Sequence, residues 1–175
     1  MAALKAIARS LRSTDGAEIA EAALVLPLVF MLLLGIVWFG RAFNIYSTIT
    51  QAAQQGAITA ARSSCVTCNN TPSTDAQVAT AVTSLMQSSS LDTSQIIVSS
   101  ASPTLCVTPP GVCTTNSNIT ICRNAQLNPT VGGTQPVQCG AVVSFQYPFK
   151  FYLPFTSLNL QQIVMTAQAQ SRMEN

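Results

Sequence analysis

The sequence predicts an α+β protein: a long N-terminal transmembrane and stalk helix, then a small antiparallel β-sheet domain with one short helix, stabilised by disulfides. Three observations carry that expectation. Nineteen residues, Ala22 to Gly40, run without a charge, long enough to cross a bilayer core of ~30 Å as one helix. Apolar residues then recur at three- and four-residue steps to about Arg62. Past Ser90 the pattern changes to short runs rich in Val, Ile and Phe, bounded by Pro, Gly, Asn and Ser, as strands are.

The approach to the span is unusual. Lys5, Arg9 and Arg12 come first, then Gly16, Glu18 and Glu21 at the edge of the apolar run. An ordinary export signal has a basic region, an apolar stretch of about 7 to 15 residues, and small residues at a cut site beyond it. Here the small residues lie before the run, so a cut there leaves the membrane helix on the mature protein. Three basic residues ahead of the span, against Arg41 just behind it, favour a cytoplasmic N-terminus. Cys65, Cys68, Cys106, Cys113, Cys122 and Cys139 all follow the span, which suggests an oxidising space on the far side.

From Ala17 to about Arg62 the only helix breaker is Pro27, where a kink or local loosening is expected. Beyond the span, Phe43, Tyr46, Ile49, Ala53, Ala57 and Ala60 continue one apolar stripe. A helix of about 45 residues reaches roughly 68 Å at 1.5 Å per residue. Its outer half has two available surfaces to pack on, the C-terminal domain and neighbouring subunits. Asn69 to Ser73 reads as a linker. Thr74 with Gln77 forms a capping box for a short helix whose Val78, Val82, Leu85 and Met86 share a face. Strands are expected at Gln95 to Ser99, Asn118 to Arg123, Ala141 to Tyr147 and Ile163 to Gln170, the last burying Ile163, Met165, Ala167 and Ala169 on one side.

Composition argues against catalysis. The chain has no histidine, the commonest general base and a frequent zinc ligand. Beyond the span its carboxylates are Asp75, Asp92, Glu174 and the C-terminus, placed in a helix start, a loop and a tail. No phosphate-cradling loop or nucleophile elbow is present. A net charge of +2 gives no basic stripe for nucleic acid. The expected protein is no enzyme and takes no cofactor or metal; its first partner is membrane lipid.

Two constellations deserve separate readings. Cys65 and Cys68 form a Cys-x-x-Cys pair that suits a structural disulfide, a redox couple or a metal half-site. The structural reading is favoured, because the pair closes a long helix instead of opening one. Six cysteines allow 15 connectivities; local closure pairs Cys65 with Cys68, Cys106 with Cys113, and Cys122 with Cys139. Glu21 is either an interfacial carboxylate reaching headgroup water or a buried register device. In the second case a cut after Gly16 frees an amino group on Ala17, one turn before Glu21. One subunit's Glu21 then pairs with a neighbour's terminal ammonium, since an unpaired charge in lipid costs ~2.5 kcal/mol or more.

Gly16-Ala17-Glu18-Ile19-Ala20-Glu21-Ala22-Ala23-Leu24-Val25-Leu26-Pro27 resembles the start of TadE-like minor pseudopilins of the Flp (tight adherence) pilus system. Ala52-Ala53-Gln54-Gln55-Gly56-Ala57 looks like that family's second motif, and Val142 to Pro148 with Ala167 to Glu174 is similar to its terminal strands. The resemblance implies a type IV pilin-like precursor with three segments. Residues 1–16 are a cytoplasmic leader, 17–62 a transmembrane and stalk helix spanning about 22–40, and 63–175 an extracytoplasmic domain. It implies cleavage between Gly16 and Ala17 by a prepilin peptidase, with Glu21 matching the glutamate that follows the cut. It also implies a bacterial inner-membrane location, or one in the pilus. The implied partners are other Flp/Tad pilins and pseudopilins and the assembly platform, and the implied role is structural, in adherence and biofilm formation. Family members often carry an aromatic residue where this chain has Ala22, and basic residues nearer the glycine than Ser13, Thr14 and Asp15 allow here. The rival readings are an uncleaved bitopic anchor of TadG-like type, with a ligand-binding outer domain, and a thiol-disulfide enzyme using Cys65 and Cys68.

Overall fold

The computed structural model describes residues 14–62, 71–128, 136–150 and 162–173. Two units make up the chain, residues 1–42 and residues 43–175. Helix α1 (Thr14–Ala61) supplies the first unit and continues into the second.

From Ala22 to Gly40 α1 is apolar on every side. Leu24, Met31 and Phe39 are 73%, 75% and 80% exposed, so this stretch lacks the buried stripe of a soluble amphipathic helix. By length and composition it can cross a membrane. The helix is unbroken at Pro27, whose ring nitrogen has no hydrogen to give the Ala23 carbonyl one turn back.

The second unit is a four-stranded antiparallel meander with helices on one face. Its strands are β1 (Val112–Asn116), β2 (Ile119–Gln126), β3 (Cys139–Lys150) and β4 (Gln162–Arg172), in spatial order β1-β2-β3-β4. Side chains alternate along each strand, so Ile119 and Ile121, Val143 and Phe145, and Ala167 and Ala169 enter one core. Ile49, Ala52, Ala53, Ala57 and Ala60 of α1 enter it from the helix side. The predicted stripe is therefore buried from Ile49 onward, whereas Phe43 and Tyr46 remain exposed. On the last strand, Ala167 and Ala169 are buried as expected and Met165 partly so, but Ile163 is exposed.

At Gly56 the helix is tightly packed against its neighbours. A Cβ there would lie 2.6 Å from Val82 Cγ2 and 3.2 Å from Val143 Cγ1. Only a hydrogen fits.

Helix α2 (Asp75–Ser88) begins with the expected capping box. Thr74 Oγ1 accepts from the Gln77 backbone N–H at 3.3 Å, and Gln77 Oε1 accepts from the Thr74 N–H at 2.9 Å. Its buried face is Val78, Val82 and Met86, with Leu85 partly covered. Ser90, in the left-handed region at φ 58°, ends the helix, and the Leu91 N–H returns to the Met86 carbonyl at 3.0 Å.

Two strand expectations need correction. Gln95 to Ser99 is not a strand: Thr93–Gln95 is one turn of 3₁₀ helix capped by Asp92, and Ile97 makes a single bridge to Gln146. The reason is space along β3. Strand β2 occupies that edge as far as Thr120 opposite Ser144, which leaves Ile97 only the short stretch beyond. Conversely, β1 is a strand that hydrophobic pattern does not announce, since Val-Cys-Thr-Thr-Asn is mostly polar. It forms because Ser117 and Asn118 both take positive φ, 50° and 63°, making the two-residue turn whose twist suits a hairpin. Asn118 Nδ2 adds a hydrogen bond to the Ile96 carbonyl at 2.9 Å.

The hairpin also overturns two of the expected disulfides. Cys113 pairs with Cys122 and Cys106 with Cys139, not Cys106 with Cys113 and Cys122 with Cys139. Cys113 and Cys122 are cross-strand partners in register, their Cα atoms 4.0 Å apart, as in the closer class of antiparallel pair. Leu105 bridges to Ala125 beside the Gln126–Cys139 pair, which brings Cys106 to Cys139. Cys65 and Cys68 lie outside the described residues.

Two outcomes follow from this packing. Gly56→Leu should destabilise the second unit by about 3 kcal/mol through overpacking against two stiff valines, read as a fall in the thermal midpoint of the detergent-solubilised chain by near-ultraviolet circular dichroism. The Cys106–Cys139 bridge spans 33 residues and Cys113–Cys122 spans 9, so loop-closure entropy assigns them roughly 3.7 and 2.6 kcal/mol. Replacing the first pair with serines should cost about 1 kcal/mol more than replacing the second, measured by chemical denaturation.

Candidate functional site

The candidate processing and register residues all lie at the start of α1. The helix begins at Thr14, so the Gly16–Ala17 peptide bond belongs to its first turn. Glu21 is four residues beyond Ala17, and the i, i+4 spacing sets both on one face. Its side chain is exposed.

At the other end of the apolar run, Arg41 stacks on Trp38 with its guanidinium carbon 5.6 Å from the ring centroid. Phe39, Phe43 and Tyr46 are exposed nearby along the chain. A tryptophan with an arginine partner and flanking aromatics is the composition found at a membrane–water interface. The apolar run is thus bounded by Glu21 on one side and this aromatic group on the other.

In the second unit the charged groups that are described hold local structure. Arg123 donates to Asp75 Oδ1 and to the Ser73 carbonyl, the latter at 2.7 Å. It ties the first turn of α2 to β2. The Arg123 hydrogen bond holds the Asp75 carboxyl below its usual range, with burial opposing and Thr114 assisting. Asp92 accepts from the Ser94 hydroxyl at 2.7 Å and from the Ser94 N–H at 3.0 Å, which lowers its pKa as well. Among the described residues no cluster of His, Cys, Asp and Glu could hold a metal ion. An open hollow of about 920 Å³, lined in part by Asn124, Gln138, Ser171 and Arg172, brings no acid–base pair together.

The Arg123–Asp75 pair was not anticipated, although a signal for it exists in the sequence. Ile119, Ile121 and Arg123 follow the period of two along β2, so an arginine stands in a core-facing register and needs a partner. Asp75 in the first turn of the predicted helix is the natural one.

Residues 16–57 match the model of the TadE-like protein family. The match opens on Gly16, covers the whole apolar run and ends on the small residues seated against the sheet. Over that segment the chain is similar to that family. No curated protein and no solved structure matches the chain.

The Arg123–Asp75 pair sets a pH dependence whose sign is fixed. The folded-state pKa of Asp75 is depressed, so its contribution is complete above the unfolded carboxylate value of ~4 and is lost as pH falls through the lowered one. Arg123→Met should cost about 2 kcal/mol at neutral pH and distinctly less near pH ~2, by denaturation of both proteins across that range.

Proposed function

We propose that this chain is a minor pseudopilin: a structural, membrane-anchored subunit for assembly of a Flp/Tad pilus, and through it for adherence and biofilm formation. The observation that carries the reading is the TadE-like match starting at Gly16, directly ahead of an exposed apolar helix that can cross a membrane. In this reading residues 1–16 are a cytoplasmic leader, and a prepilin peptidase cuts between Gly16 and Ala17. The N-terminus faces the cytoplasm and residues 63–175 form the extracytoplasmic domain, in keeping with Lys5, Arg9 and Arg12 before the span.

The mechanism is assembly and not catalysis. The Ala22 to Gly40 run holds the subunit in the membrane until it meets pilins, pseudopilins and the assembly platform. Glu21 pairs with the new terminal ammonium of a neighbouring subunit, which selects the axial register because a misaligned carboxylate is left unpaired in lipid. Pro27 loosens the helix within the span. Cys65 and Cys68 staple the chain where the helix gives way to the domain. Cysteines 106, 113, 122 and 139 hold the sheet in the oxidising compartment.

Intact-mass measurement of the membrane-extracted protein tests the reading. The unmodified protein should begin at Ala17, and Gly16→Leu should retain its leader. An unmodified protein that keeps its leader would overturn the proposed processing and favour an uncleaved anchor of TadG-like type.

A further inference from the structure

Within the second unit, helix α1 and strand β3 run in opposite directions. Gly56 lies against Val143, while Ile58, Ala61 and Arg62 share a hollow with Ser171 and Arg172, the partners of Ala141 and Gly140 on β3. So α1 advances as β3 recedes. Followed the other way, the helix covers ~20 Å from Gly56 back to Phe43, and β3 covers ~23 Å from Val143 on to Lys150. Phe43 and Lys150 therefore lie at the same end of this unit.

That end is apolar and basic. Phe43 and Tyr46 are exposed on α1, and so are Ile163 and Val164 where β4 starts. Successive strand residues face opposite sides, so β4 begins with an apolar side chain showing on each face of the sheet. The linking sequence 151–161 holds three aromatics, three leucines and no charge. Lys150 is exposed, and the salt bridge among the described residues belongs to Arg123 and Asp75. Asp92, the acid that follows α2, is taken up by Ser94 and Gln95. The opposite end, by contrast, presents Gln138, Ser171 and Arg172 to its hollow.

We propose that this end of the second unit rests on the membrane surface. Phe43, Tyr46, Ile163 and Val164 enter the boundary between headgroups and acyl chains, and Lys150 reaches a lipid phosphate. The occupant follows from continuity. Phe43 comes three residues after Gly40 in the same helix, a rise of ~4.5 Å, and the headgroup layer is roughly 5–7 Å deep on each side. Exposed aromatic and aliphatic side chains, with a lysine whose stem lies along apolar surface, suit that layer. Because α1 already tethers the unit, docking is intramolecular and needs few contacts. The inference rests on the membrane-crossing part of the reading above and requires neither cleavage nor a pilus.

Bromine quenching in nanodiscs holding one copy of the full chain tests it, with anionic phospholipid present and the bromines placed just below the headgroups. The chain has one tryptophan, Trp38, whose own quenching reports that α1 lies in the bilayer. W38F/I163W moves the indole to the proposed contact and should be quenched as well. W38F/V137W puts it near the opposite end of the sheet, at an exposed position, and should escape. Adding Lys150→Glu to W38F/I163W should remove most of the quenching, because a carboxylate there repels anionic headgroups. All variants should share one circular dichroism spectrum. A quenched Trp38 with an unquenched or merely blue-shifted indole at position 163, equal quenching at 163 and 137, or quenching indifferent to Lys150→Glu would each overturn the contact while leaving the anchor in place. An unquenched Trp38 would instead overturn the anchor and the contact together.

Discussion

Where α1 meets the sheet, its side chains shrink to methyl groups and one hydrogen. Ala52, Ala53, Gly56, Ala57 and Ala60 lie on the covered face, and Gly56 leaves no room for a Cβ beneath Val82 and Val143. Small residues let a helix backbone approach a sheet closely, and close approach is what brings dispersion contacts to native density. Because Val82 belongs to α2 and Val143 to β3, one glycine sets the spacing of three elements. The same helix is large and greasy over Leu24 to Phe39, where lipid and not a packed neighbour is the expected surround. Its residue sizes therefore change with the medium each part has to fit.

The sheet is held by constraints that act on its weaker half. Strand β1 is short and mostly polar, and a two-stranded ribbon of that kind is marginal in water. A turn with two positive-φ residues, the Cys113–Cys122 bridge and the packing of α2 compensate. A bulge at Asn124, which also has positive φ, shifts the register between Cys122 and Ala125. Beyond it the Cys106 and Gln126 N–H groups bond to Asn124 and Thr104 carbonyls across the gap. On the β3–β4 side eleven continuous pairs run without such a device among the described residues.

Charge is scarce in this chain, 8% of residues, and its placement is correspondingly informative. Arg123 and Asp75 lock a helix start to a strand, Asp92 caps a turn, and Arg41 stacks on Trp38. Glu21 stands apart, exposed at the entry to the apolar run and without such a local task among the described residues. A carboxylate kept at that depth is costly in a lone helix and useful between helices. That contrast, more than any feature of the second unit, is what the proposed assembly role draws on.

Much of the fold was legible, and the candidate site could be named, because both are local in the chain. The apolar run, Gly16, Ala17 and Glu21 lie within 25 residues of one another. The Thr74–Gln77 capping box needs four residues, and the α2 face and two long strands need only periodicity. Illegible were β1, the demotion of Gln95 to Ser99 to a bridge and both cystine pairings, while the Arg123–Asp75 lock left a trace only in the core-facing register of Arg123. Each depends on which segment lies opposite which, a matter of register between residues far apart. Backbone periodicity selects helix or strand from nearest neighbours alone, whereas partners are chosen by the whole chain competing for one core and one set of sheet edges.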